Sequence, residues 1–273
     1  MNTILVPTDF SPTAENAANY AGHLCKELGS KLVLLHVYML PVPVSEIPYV
    51  MVSADEMQKA SENALKKETN RLFETMNIEV EWIVRLGLAS DEIRDIEKEK
   101  NIDLVIMGMN GGGEFDKLIG STTIAVIRKC HKPVLVVPEG ARYIPFKLIA
   151  YATDFNYAVN LLFFAPLKSF INTYKSELMV VNVQKAGKTL SAEQENGKEK
   201  IEQVLNDTEH EYIIIEDNNI EHGLQQFVEK HSPQLLTMVA HKHNMIERLF
   251  GTHHTKEMIY QTHIPILILQ DKN

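Results

Sequence analysis

Two short stretches of this chain carry the residue types for ligand chemistry. Residues 105–123, VIMGMNGGGEFDKLIGSTT, hold five of the 13 glycines in 273 residues. Glycine lets a backbone approach a ligand without a Cβ collision and take up positive φ. The stretch therefore predicts either a flexible loop or a main-chain cradle for phosphate. Gly120, Ser121 and Thr122 stand where a helix-like run begins. Helix N–H groups are unpaired there, the dipole favours an anion, and two hydroxyls add donors. The other stretch is Pro7-Thr8-Asp9, after the opening apolar run. Asp9 offers an acceptor for sugar hydroxyls and repels phosphate, which puts it at the opposite end of a ligand. No nucleophile–base pair, acidic dyad or metal constellation emerges, so the expectation is no catalytic residue and no metal ligand.

Elements that would position these stretches follow from patterning. Strand-like runs fall at 4–7, 31–38, 80–85, 104–107 and 134–137, mostly as unbroken apolar stretches, as expected for parallel strands covered on both faces. Helical segments lie between them. One starts at Ser11-Pro12, an N-cap followed by proline at the first helical position. Another starts at Ser53-Ala-Asp-Glu56, a capping box. Others run from about 90 to 100 and from 121 to 131. In a doubly wound sheet of order 3-2-1-4-5 the strand order reverses between strands 1 and 4. Ligands bind beyond the carboxyl ends at such a reversal, so Asp9 and the glycine stretch should face one crevice.

The plan repeats. TILVPTDF in the first half answers KLIAYATDF in the second, pairing Asp9 with Asp154, and KPVLVVPEG answers IPILILQD. Second-half strands are expected near 147–153, 178–183, 212–216, 235–240 and 265–269, with a polar surface helix around 192–206 after a mobile stretch. The fold class is α/β: two similar doubly wound domains, each a five-stranded parallel sheet with helices on both faces. The boundaries are 1–140, a linker at 141–146, and 147–273.

On these residues the sequence resembles a tandem member of the universal stress protein family. Its nucleotide-binding members carry Gly-x2-Gly-x9-Gly-Ser/Thr after strand 4 and an aspartate after strand 1. The resemblance implies that Gly108, Gly111, Gly120, Ser121 and Thr122 contact phosphate and ribose, that Pro7, Thr8 and Asp9 contact the nucleoside side, and that the main chain of Val37 contacts adenine. ATP is the implied cofactor, with magnesium as its possible companion. Eight residues, not nine, separate Gly111 from Gly120. In the second half Ala240 is expected at the place of Gly108, and bulky residues follow it. That half is expected to be mainly structural. The resemblance also implies a pseudo-two-fold pairing of the two halves through their last strands, with a further homodimer open.

Net charge is −9, which argues against nucleic acid as a partner. No apolar run approaches the roughly 18–20 residues of a membrane helix. MNTILVPTDFSP shows no signal-peptide pattern, and Cys25 and Cys130 form no framework. A cytoplasmic protein is expected. His241, His243, His253 and His254 flank one second-half loop, where polar surface histidines and a metal or anion site are both open readings. His23 and His36 are expected to be buried and satisfied, and Arg85 either assists a phosphate tail or is solvated. The leading functional expectation is a stress-response regulatory protein that binds an adenine nucleotide and alters its affinity for a protein partner. The alternatives are a slow metal-assisted hydrolase using Asp9 and a ligand-free interaction scaffold.

Overall fold

The computed structural model describes residues 1–40, 53–109, 121–156, 164–240 and 264–271. The first half runs β1 (Thr3–Pro7), α1 (Pro12–Leu28), β2 (Lys31–Tyr38), α2 (Ala54–Met76), β3 (Val80–Leu86), α3 (Ala89–Glu99), β4 (Leu104–Met109), α4 (Ser121–Lys129) and β5 (Val134–Pro138). The second runs β6 (Leu148–Ala152), α5 (Ala165–Tyr174), β7 (Glu177–Gln184), α6 (Ala192–Val204), β8 (His210–Glu216), α7 (Ile220–His231), β9 (Leu235–Ala240) and β10 (Ile266–Gln270).

All ten strands form one sheet of order β3-β2-β1-β4-β5-β10-β9-β6-β7-β8. Read from its outer edge inward, each half has the order 3-2-1-4-5 expected from sequence. Within each half neighbouring strands are parallel. The halves meet antiparallel, with Ile266 opposite Val136, Leu267 opposite Leu135 and Ile268 opposite Val134. That junction is the pairing of last strands expected for two like domains. It covers two apolar edges that would otherwise be exposed templates for association.

Unbroken apolar strands follow from having two cores. Ile4 and Val6 join Leu104 and Ile106 under α1 and α2, while Leu5 joins Val105, Met107 and Ile93 on the other face. A strand alternates sides residue by residue, so a strand covered on both faces must be apolar throughout.

Local signals hold the helices. Ser11 caps α1 by accepting from the Ala14 N–H, and Gly29 ends that helix at φ 63°. Ser53 and Glu56 form the expected capping box of α2. Several bounds differ from expectation by one or two residues; α3 begins at Ala89 rather than Ser90, and α4 ends at Lys129, two residues early. The connector 141–146 is packed, with Ala141 and Phe146 buried. Tyr143 lies edge-on to Tyr20 and hydrogen-bonds the Tyr174 hydroxyl at 2.8 Å. The polar α6 is also docked rather than loose. Ser191 and Gln194 form a capping box, and Ile201 and Val204 are buried. A Cβ on Gly197 would overlap the Phe155 carbonyl oxygen.

Candidate functional site

The chain leaves β1 through a tightly determined turn. The Thr8 N–H donates to the Leu35 carbonyl at 2.8 Å. The Phe10 N–H donates to the Thr8 hydroxyl at 3.0 Å, and the Ser11 N–H to Asp9 Oδ1 at 3.0 Å. Phe10 takes φ 63°, a left-handed conformation that a bulky residue holds only when its surroundings enforce it. His36 contributes from β2: Nδ1 lies 2.8 Å from the Thr8 carbonyl oxygen, which makes that nitrogen the donor, and its ring lies 4.6 Å from that of Phe10. Asp9 stays exposed, and among the described residues its second carboxylate oxygen has no partner.

Strand β2 outruns β1. Their ladder ends with Pro7 opposite Leu35, followed by the Thr8 bond to Leu35. The Tyr38 carbonyl accepts from the Gly87 N–H at 3.0 Å on the β3 side. Alternation therefore turns the Val37 N–H and C=O toward the place β1 has vacated, where a ligand edge finds one donor and one acceptor.

Across the crevice, β4 ends in Gly108 and Met109, and α4 starts at Ser121. A Cβ at Gly108 would lie 2.6 Å from the Thr13 carbonyl oxygen and 2.7 Å from Thr13 Cγ2. Gly108 is thus required for the approach of α1 to β4, a packing demand its ligand reading did not include. Thr123 is buried, and its hydroxyl donates to the Gly108 carbonyl at 3.4 Å. Ser121 and Thr122 are exposed.

Pro7, Thr8, Asp9, Val37, Gly108, Ser121 and Thr122 line a single cleft of about 570 Å³. The crevice expected between strands 1 and 4 therefore exists. Gly111 and Gly120 lie outside the described residues. Sequence reasoning missed the third wall, Gly87 to Ser90 at the start of α3. No side chain caps that helix start, whose N-cap is Leu88. The missing Ser/Thr/Asp/Asn at its N-cap is a signal the sequence did contain. No lysine or arginine lines the cleft among the described residues.

Several other candidates fall elsewhere. Arg85 pairs with Glu99 at 2.8 Å and lies 3.9 Å from Glu92, and it does not line the cleft. His23 is exposed rather than buried, its ring stacked on Tyr143 at 5.6 Å. His36 is half-buried and hydrogen-bonded, close to expectation. Burial pushes the Cys25 thiol up to about 12, which leaves it an unreactive core group. His241, His243, His253 and His254 lie outside the described residues. Among the described residues no group of three His, Cys, Asp or Glu side chains is placed to hold a metal ion, and no helix is long and apolar enough to cross a membrane.

The second half repeats the turn. The Phe155 N–H donates to the Thr153 hydroxyl at 3.1 Å, the Asn156 N–H to Asp154 Oδ1 at 3.1 Å, and Phe155 takes φ 60°. Asn182 takes the place of His36, its Nδ2 2.8 Å from the Thr153 carbonyl oxygen. Strand register corrects one sequence alignment. Leu104 pairs with Ile4 and Leu235 with Ile149, so Val239, not Ala240, occupies the position of Gly108. Thr153 and Asp154 line a smaller cleft of about 370 Å³.

Comparison with known proteins agrees with this architecture. Residues 1–138 match the universal stress protein family. A universal stress protein of Methanocaldococcus jannaschii is 31% identical over 49% of this chain and 93% of its own length. One from Synechocystis sp. is 36% identical over 50% of this chain and 85% of its own. A universal stress protein from Archaeoglobus fulgidus superposes on 99% of both chains with a TM-score of 0.72 at 20% identity, a likeness of fold spanning both halves. The chain belongs to the universal stress protein family, with two similar domains in tandem.

Proposed function

We propose that this is a stress-response regulatory protein whose first domain, residues 1–140, binds ATP or a closely related adenine nucleotide. The observation that carries the reading is the convergence of three features on one cleft: the Thr8–Asp9 turn, the vacated main-chain edge at Val37, and the start of α4. At about 570 Å³ the cleft falls within the roughly 300–1,000 Å³ of small-ligand sites. Its chemistry is graded along its length. Val37 offers a flat donor–acceptor edge suited to adenine. Asp9 offers ribose hydroxyls a carboxylate oxygen that has no partner among the described residues. The α4 N-terminus, with Ser121 and Thr122, offers donors to phosphate. Magnesium, where present, would arrive on the phosphates, since it needs only one or two protein carboxylates.

The function follows from binding rather than chemistry. A bound nucleotide that favours one arrangement of the cleft walls shifts affinity for a protein partner by its differential affinity alone. Asp9 is the single carboxylate of the cleft among the described residues, so the hydrolase reading has the weaker support. A cytoplasmic setting goes with the buried thiols of Cys25 and Cys130. The second domain completes the sheet, and the residues 147–273 are assigned to it.

The test is thermal denaturation of the full chain with ATP, ADP and AMP. A ligand at about 100 times its Kd stabilises by about 2.7 kcal/mol. A concentration-dependent rise in Tm with ATP, lost in Asp9→Leu and Ser121→Val, is expected. No response to millimolar ATP would leave the scaffold reading.

A further inference from the structure

Strand β10 is apolar until its last residue. It reads ILILQ, all of it buried, and the final residue is Gln270. The antiparallel ladder across the seam ends with Ile268 opposite Val134. Two residues further on, Gln270 has passed the start of β5 and reaches the turn that joins β5 to α4. Alternation puts its side chain on the sheet face of Ile266 and Ile268, which share a core with Val126, Ile127 and Cys130 of α4 and the turn after it. There Gln270 Nε2 donates to the Ile127 carbonyl at 3.1 Å.

Gln270 is 4% exposed, and its Oε1 has no partner among the described residues. A buried amide oxygen left unpaired opposes folding, so packing alone would favour a hydrocarbon at this place. What the glutamine adds is the donor. Carbonyls in the last turn of a helix have no N–H of their own helix to accept. In α4 that end is held from two sides. Glu97 of α3 takes the His131 and Lys132 N–H groups at 3.2 and 3.3 Å, and the second domain takes the Ile127 carbonyl.

The tie runs one way. Strand pairing sets Pro138 beside Met109 and Gln270 beside Ala240, which makes Pro138 the counterpart of Gln270, and a proline side chain donates nothing. The Pro138 carbonyl instead accepts from Asn16 Nδ2 of its own domain at 3.1 Å. The opposite end of α4 faces the first cleft, which Ser121, Thr122 and Thr123 line. From Ser121 to Ile127 is about 9 Å of helix, short enough to move as one body. Fixing the Ile127 carbonyl therefore fixes where the Ser121 end stands.

We propose that Gln270 is a positioning residue through which the second domain holds the helix that receives phosphate in the first. The inference rests on the nucleotide reading of the first cleft, and it gives the second domain a part in ligand binding beyond completing the sheet.

Calorimetric titration of ATP and of adenosine into the full chain tests it. Gln270→Met keeps the length and burial without the donor, and Gln270→Asn keeps the amide but is one methylene short. Each should weaken ATP by about 2- to 30-fold, the span for substitutions that alter coupling without touching the ligand. Adenosine, which has no phosphate to reach α4, should bind both variants as it binds the wild type. Amide exchange across residues 121–129 should quicken in both without ligand. Leu267→Val thins the same seam on the other face of the sheet and should do neither. ATP binding unchanged in either Gln270 variant overturns this inference alone. So does an equal loss of ATP and adenosine, or an equal loss in Leu267→Val, because each marks a general loosening. A wild-type chain that binds no ATP defeats the reading of the first cleft and this role together.

Discussion

His36 Nδ1 lies 2.8 Å from the carbonyl oxygen of Thr8, bridging the end of β1 from the strand beside it. The same bridge recurs in the second half with Asn182 as donor. What the two sites share is a donor of a particular reach, not a titratable ring. His36→Leu should cost about 1–3 kcal/mol, because it leaves a half-buried carbonyl unpaired beside a strained turn. His36→Asn should recover most of that. Urea unfolding of the three proteins reads the difference, and equal losses from Leu and Asn would refute the assignment.

Gly108 is fixed by packing independently of any ligand. Gly108→Ala pushes a methyl against the main-chain oxygen of Thr13, which no side-chain change at residue 13 removes. A loss of about 1–3 kcal/mol is expected from overpacking. Thr13→Ser, which deletes only Cγ2, should not rescue it. Thermal denaturation without nucleotide is the appropriate measurement, since the effect precedes binding.

Glu97 is buried to 2% exposure, and its carboxylate accepts the N–H groups of His131 and Lys132 at 3.2 and 3.3 Å. It thereby ties α3 to the turn between α4 and β5. Glu97→Ala strips both donors of their acceptor and should destabilise by about 1–3 kcal/mol. Loss of hydrogen-exchange protection at residues 131 and 132 would locate the damage.

Asp91 joins the same two helices from outside, 2.8 Å from Lys129 Nζ. The Lys129 ammonium, and secondarily its charge and that of Arg94, holds the Asp91 carboxyl below its ordinary value. A carboxyl depressed in the folded state stabilises above the unfolded value, near 3.9. That contribution disappears as pH falls through the folded value. The stability gap between wild type and Asp91→Asn should therefore be present at about pH 7 and 5, close as pH falls below about 4, and shrink in about 1 M salt because the pair is exposed. A gap that widens in acid would contradict the ion pair.

What the sequence made legible were features written locally. Ser11-Pro12 and Ser53–Glu56 announce helix starts in the chain itself, and strands covered on both faces must be apolar without interruption. The repeat of Thr-Asp-Phe revealed the duplication, and the doubly wound order with its reversal between strands 1 and 4 located the cleft. Features set by three-dimensional pairing were hidden. Counting from motif to motif put Ala240 opposite Gly108, whereas the ladders of β4 with β1 and β9 with β6 put Val239 there. Nothing local shows that Gly108 spares the backbone of Thr13, that Arg85 is taken up by Glu99, or that Glu97 is buried to hold two N–H groups. The polarity of α6 and of the stretch before it suggested a loose segment, because one of the contacts that dock the helix, Gly197 on Phe155, depends on a missing side chain.

The antiparallel seam of β5 with β10 has a consequence for how the halves are free to differ. Two separate copies joined at such a seam must each match themselves, so any substitution there appears twice and must be self-complementary. Within a single polypeptide the partners are held at high effective concentration, and each side need fit only the other. Dilution cannot part them, and one half can specialise its cleft while its sibling keeps another.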